Sequence, residues 1–255
     1  MNRISRAFFA ACLIGGLGRS VTAAEVLHVY GPGGPLPAMK EAAGVFGKAH
    51  GVDVEVAAGP TPKWIKQAKT NGDVIFSGSE TMMSSFISAM PEIDRATVEP
   101  LYLRAAAILV RPGNPGHIGG IADLFKPGHH VLVVNGAGQQ GLWEDVAGRL
   151  GSIGDVRAFR ANIATVADNS AAARAAWASD KTLDAWLIWT IWQRSNPALA
   201  DQVAVEAPYV IYRDTGVALT KRGETKPEAR QFVAFLASPE GAAIFQKWGW
   251  IVPSR

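Results

Sequence analysis

The chain has a single cysteine, Cys12, and it lies in an apolar run near the start that is expected to be cleaved off. What remains has no disulfide, no thiolate nucleophile and no cysteine metal site. Catalytic motifs are missing too: there is no Gly-x-Ser-x-Gly elbow, no Walker lysine and no His-Glu-x-x-His. Of the five histidines, His129 and His130 sit at a turn, while His28, His50 and His117 are isolated. None is assigned as a ligand, and neither metal nor cofactor is expected. No run of Lys and Arg occurs, which argues against a nucleic-acid surface. No apolar run reaches the roughly 18 residues of a membrane span, and no internal repeat or low-complexity tract is visible.

What is present begins with an address. Arg3 and Arg6 precede an apolar run from Ala7 to Gly18, and the small residues Val21-Thr22-Ala23-Ala24 follow. This is the layout of a secretory signal peptide, residues 1–24, and predicts an exported, periplasmic product. The leader also carries the charge imbalance. Its three arginines account for the excess, since the remaining 22 basic residues face 22 acidic ones.

Past the leader, Val26–Tyr30 reads as a strand. Met39, Ala42, Ala43 and Phe46 then form one helical face, and Val52, Val54 and Val56 alternate as a second strand. Thr61 before Pro62 reads as an N-cap opening a helix to about Lys69. Val74–Phe76 is an apolar strand and Met82, Met83, Phe86, Ile87 and Met90 the buried face of the next helix. The order βαβαβα implies a parallel sheet with helices on both sides. The second half repeats the theme. His130–Val134 and Ala185–Trp189 read as strands, and Asn169 and Ser170 precede an alanine-rich helix. Two helices, from Lys226 to Leu236 and from Pro239 to Trp248, close the chain. The expected class is α/β with two lobes, each a mostly parallel sheet flanked by helices. Lobe 1 comprises residues 25–103 and 216–255, and lobe 2 residues 104–215.

The chemistry concentrates in the turns. Gly31-Pro32-Gly33-Gly34, Gly59-Pro60-Thr61-Pro62-Lys63 and Ser77-Gly78-Ser79 each lead from an apolar strand toward a helix. The first N–H groups of a helix have no internal partner and sit at the positive end of its dipole, so such turns can hold an anion. Ordinary βα turns also favour these residues, but three in one half point to a common cleft beyond the strand ends. Asn135-Gly136-Ala137-Gly138-Gln139-Gln140-Gly141 adds a glycine-rich loop. It spells a dinucleotide fingerprint, but no carboxylate follows where a ribose needs one, leaving a nest of N–H groups for an anion. Arg104, a charge inside an apolar strand, is either in a structural ion pair or a ligand contact. Trp186, Trp189 and Trp192 read as core or lobe interface.

These blocks, with Met82-Met83 and Gly141-Leu142-Trp143-Glu144-Asp145, closely resemble the accessory colonization factor AcfC family. That family includes the PEB3-like antigens among the type II periplasmic solute-binding proteins, and the likeness runs through the whole mature chain. It implies a two-lobe Venus flytrap, similar to the sulfate- and molybdate-binding proteins, that closes on a small anion. Dimers occur among its relatives; whether this chain forms one is open. Carried over by position, Gly33, Gly34, Thr61, Lys63, Ser77, Gly78, Ser79, Arg104, Asn135, Ser170 and the loop Gly136, Ala137, Gly138, Gln139, Gln140 line the cleft. Gln140 stands where a threonine is expected, so the family's ligand is not carried over with the site. The resemblance implies delivery of a small anionic solute to a membrane transporter. A colonisation or sensor protein using the same cleft is the alternative. An enzyme on this scaffold would need Glu80 or Glu144 in the cleft as its base.

Overall fold

A computed structural model describes residues 26–136 and 138–252. The expected leader, and Ala137, lie outside the described residues. The first stretch follows the apolar periodicity: β1 (Val26–Gly31), α1 (Leu36–His50), β2 (Asp53–Ala58), α2 (Ile65–Asn71), β3 (Val74–Phe76) and α3 (Glu80–Ala89). β1 lies between β2 and β3 and runs parallel to both. The long β4 (Glu99–Val110) leads to β5 (Val131–Val134), α4 (Leu142–Ala147), α5 (Ile153–Asn162), β6 (Ile163–Ala167), α6 (Ser170–Ser179), β7 (Ala185–Trp189), α7 (Thr190–Ser195) and β8 (Asp201–Ala204). β9 (Tyr212–Leu219) then returns to α8 (Lys221–Glu224), α9 (Pro227–Leu236) and α10 (Pro239–Lys247).

One hydrogen-bonded path joins the strands in the order β2-β1-β3-β9-β4-β7-β5-β6, with β8 attached to β4. Each end of this path is a parallel trio. Antiparallel β4 and β9 link the two ends. Up to Ala105, β4 pairs with β9; from Ala106 onward it pairs with β7 and β8. Arg104 thus sits where β4 changes partners, in the waist of a two-lobe α/β fold. β7, all of it buried, carries Trp186 and Trp189 into the core beside Trp177, as their apolar neighbours predict. Among the described residues no helix is long and apolar enough to cross a membrane.

The expected helix from Thr61 is corrected. Residues Thr61–Lys63 form a single 3-10 turn capped by Pro60, without a side-chain cap, and α2 starts only at Ile65. The break is Trp64, whose φ of −127° turns the indole inward to 3% exposure. There its Nε1 donates to the Gly59 carbonyl at 3.2 Å and the ring packs edge-on against Phe86. Burying an indole outweighs one turn of helix. α4 ends at Ala147, and Leu150 beyond it is exposed.

Candidate functional site

Arg104 is the centre of the site. Its side chain leaves β4 into the waist and is 3% exposed. The guanidinium lies over the Trp189 ring at 4.5 Å and the Trp250 ring at 5.5 Å, and donates to the Gly78 carbonyl. Cation–π contact offsets part of the lost hydration. No carboxylate oxygen of the described residues comes within 4.0 Å of it, so the structural ion pair is not what holds Arg104. Its Nε–H is buried without any partner. Burial pulls the guanidinium down to about 9, with Asp214 opposing the shift and Arg213 adding to it. It therefore carries its charge at neutral pH.

Two glycines that were expected to hold an anion also make room for this side chain. A Cβ on Gly34 would stand 3.0 Å from one terminal guanidinium nitrogen, and one on Gly78 3.1 Å from the other. The cavity above the guanidinium measures about 80 Å³. Gly33, Gly34, Gly78, Gln139 and Ser170 all line it, with Trp192 closing one side. Gln139, 3% exposed, donates through Nε2 to Ser170 Oγ at 2.7 Å, while its Oε1 is buried and unpaired. Buried polar groups without partners are uncommon in folded proteins and call for an explanation. Here Arg104 Nε and Gln139 Oε1 belong to residues lining the same 80 Å³ space.

Thr61, Ser79, Gly138 and Gln140 line a neighbouring cavity instead. Lys63 is exposed and lines neither, as are Asn135 and Gln140 exposed, the former outside both cavities. Ser77 is wholly buried in the strand junction, where its Oγ accepts from Gly216 N at 3.3 Å. Gly136 packs so closely on the Asp168 carbonyl that a Cβ would come within 2.4 Å of it, a structural role. Ala137 lies outside the described residues. The helix-start donors are also partly committed. Ser79 Oγ caps Met82 N, Asp214 Oδ1 takes Glu80 N, and Asn169 Oδ1 takes both Ala171 N and Ala172 N. Charge from Arg104 therefore outweighs free helix N–H groups in this cleft. Among the described residues no cluster of His, Cys, Asp and Glu could hold a metal.

Residues 27–251 match the family described as bacterial extracellular solute-binding protein. The chain belongs to that family. Among solved structures, this solute-binding protein is similar to PEB3 from Campylobacter jejuni. With L-phospholactate bound, PEB3 is 35% identical, with a TM-score of 0.84, covering 89% of this chain and 100% of that one. The periplasmic molybdate-binding protein of Azotobacter vinelandii is 18% identical, with a TM-score of 0.69, covering 89% and 100%. The sulfate-binding protein SubI of Mycobacterium tuberculosis is 15% identical, with a TM-score of 0.72, covering 88% and 86%. These last two share the fold. No curated protein matches the chain. Arg213 and Trp192, which the sequence reading of this solute-binding protein did not name as site residues, each line one of the two cavities and reach it through the fold and not through a motif.

Proposed function

We propose that the protein is a periplasmic solute-binding protein that captures a small anion between its two lobes and delivers it to an ABC-type transporter. The observation that carries this reading is Arg104, a buried guanidinium with no carboxylate partner among the described residues and one N–H left open beside a cavity. An unpaired buried charge costs several kcal/mol, and an anion entering the cavity offsets that cost with charge-assisted hydrogen bonds. The L-phospholactate bound to PEB3 supports an anion as the solute. In this reading the lobes are residues 25–103 with 216–255, and residues 104–215. They would close about β4 and β9, desolvating the ligand. Glu80 and Glu144, the carboxylates that an enzyme on this scaffold would use, line neither cavity at the waist.

The test is calorimetric titration and thermal shift of the leaderless protein with phosphate, sulfate, molybdate, L-phospholactate and short dicarboxylates. A ligand at a hundred times its Kd adds about 2.7 kcal/mol to stability. At least one of these anions should bind, and Arg104→Met should abolish the binding. If no anion binds, or Arg104→Met binds as well as the wild type, the reading is wrong.

A further inference from the structure

The waist has a second face. On the ladder of β4 and β9, Arg104 stands opposite Arg213, and the next pair along is Leu103 with Asp214. Neighbouring residues on a strand point to opposite sides, so Leu103 and Asp214 leave the face turned away from the two arginines. There Pro100, Leu101, Tyr102, Leu103, Asp214 and Ile251 enclose a cavity of about 220 Å³. It shares no lining residue with either cavity described above.

Asp214 is the only charged residue of this lining. Its Oδ1 accepts from Glu80 N at 2.9 Å, which fixes the carboxylate, while its Oδ2 is buried without a hydrogen-bond partner. No cationic nitrogen of the described residues stands within 4.0 Å of it. Arg213, its chain neighbour, is instead held by Asp145. The Tyr102 hydroxyl is committed elsewhere, donating to the Leu236 carbonyl at 2.5 Å. Two more carboxylates deepen the negative field. The charge of Glu99 acts on Tyr102, and that of Asp214 acts on Glu80, each ranking behind burial among the causes that raise those groups. An ionised oxygen facing an apolar space without a donor is costly and calls for an explanation. The rim is apolar: Leu103 and Ile251 are both 43% exposed, and Tyr212, on the same face of β9, is 48% exposed. Half of the six large apolar side chains exposed among the described residues thus gather around one unpaired oxygen.

We infer that this cavity is a second ligand site, and that its ligand is a small organic ammonium ion. The ammonium donates to Asp214 Oδ2, and its alkyl chain lies against Leu101, Leu103 and Ile251. Charge complementarity selects the head group, because an anion would be repelled by Asp214 and a neutral alcohol would leave its charge uncompensated. Size selects the body. An apolar cavity of about 150 Å³ takes a benzene ring, so this one has room for roughly four to six carbons. The site is independent of anion capture at Arg104, since the two share no residue, and an occupant touches both strands that join the ends of the sheet.

Calorimetric titration of the leaderless protein with propyl-, butyl- and pentylammonium, and with 1-pentanol as the neutral control, tests this. Pentylammonium should bind with a Kd of about 1 mM or tighter, a modest demand for a ligand of its size. Affinity should rise about two- to fourfold with each added methylene, and pentylammonium should bind at least about tenfold more tightly than 1-pentanol. Asp214→Asn keeps an oxygen for Glu80 N and should remove the preference for the ammonium over the alcohol. Leu103→Trp fills the cavity from its exposed rim and should weaken both compounds, which keeps the test decisive if the first variant folds poorly. Equal binding of ammonium and alcohol to the wild type, or an unchanged pentylammonium affinity in both variants, overturns the site. Absence of binding to the wild type overturns it too. A wild-type dimer that Leu103→Glu separates would then assign the face to a second copy, and binding gained on Arg255→Gln would assign Asp214 Oδ2 to Arg255. Each of these results leaves anion capture at Arg104 standing.

Discussion

Asp73, just ahead of β3, and Arg104, on β4, are both buried charges, and the fold treats them in opposite ways. Asp73, wholly buried ahead of β3, accepts from His28 N at 2.9 Å, Arg222 Nε at 2.9 Å and Lys226 Nζ at 3.1 Å. Two cations and a backbone donor tie β1 to the C-terminal helices through one carboxylate. Arg104 has a carbonyl, two indole faces and an open N–H. A buried charge is tolerated when its partners replace the lost water. Asp73 has those partners within the chain, whereas Arg104 has a cavity where one would stand. The difference separates a charge satisfied within the chain from one whose open N–H belongs to the lining of a cavity.

Replacing Asp73 by alanine should produce the largest effect. It removes the carboxylate that accepts from His28 N, Arg222 Nε and Lys226 Nζ, the last on a side chain only 7% exposed. Loss of one member of a buried pair costs about 3–5 kcal/mol. Chemical denaturation should read that loss, and a loss below about 1 kcal/mol would show that Asp73 is no better served than Arg104. Arg104→Met should move stability the other way. It removes an uncompensated charge and keeps an apolar stem against Trp189 and Trp250, so the ligand-free protein should gain up to about 2 kcal/mol. Anion affinity should meanwhile fall by a hundredfold or more. Destabilisation of the ligand-free protein by this change would mean that the indoles and the Gly78 carbonyl already satisfy the guanidinium, and the contrast would fail.

Much of this contrast was legible before the structure. Alternating valines and the Met39–Phe46 face gave the first lobe's βαβ order, because its strands are bounded by glycine and its helices by clear apolar stripes. Arg104 stood out as a charge in an apolar strand. Its lack of a counter-ion did not, since pairing across β4 and β9 is decided by register. Asp73 passed unnoticed for the same reason: Arg222 and Lys226 are about 150 residues away in the chain. Three elements were missed for want of a buried stripe. On α5 only Phe159 and Asn162 are buried and Ile153 is exposed, β6 alternates only weakly in exposure, and β8 is an edge strand without a fully buried residue. Of the residues named from the sequence, Gly33, Gly34, Gly78, Gln139 and Ser170 line the cavity at Arg104. Lys63, a lysine beside a distinctive turn, is exposed and lines neither cavity.

The smallest effect should come from a third charged position, Glu80, which lies at the start of α3 and is exposed. Partial burial, then the charge of Asp214, raises its carboxyl above the ordinary 4.5. Asp214 is held nearby because its Oδ1 accepts from Glu80 N at 2.9 Å. An acid whose value is higher in the folded state binds more protons there than in the unfolded chain, between the two values. Stability is therefore gained as pH falls through that window, and the unfavourable contribution is fully present above it. Glu80→Gln removes the group, so the variant should melt slightly higher than the wild type at pH 7–8, and the two should converge at about pH 4. Water reaches this side chain, which limits the difference to less than about 3 °C in Tm. Parallel melts of the two proteins from pH 4 to 8 would measure it. A gap comparable to that of Asp73→Ala would mean that exposure does not shield Glu80, and that solvent access is not what separates the cheap charge from the two costly ones.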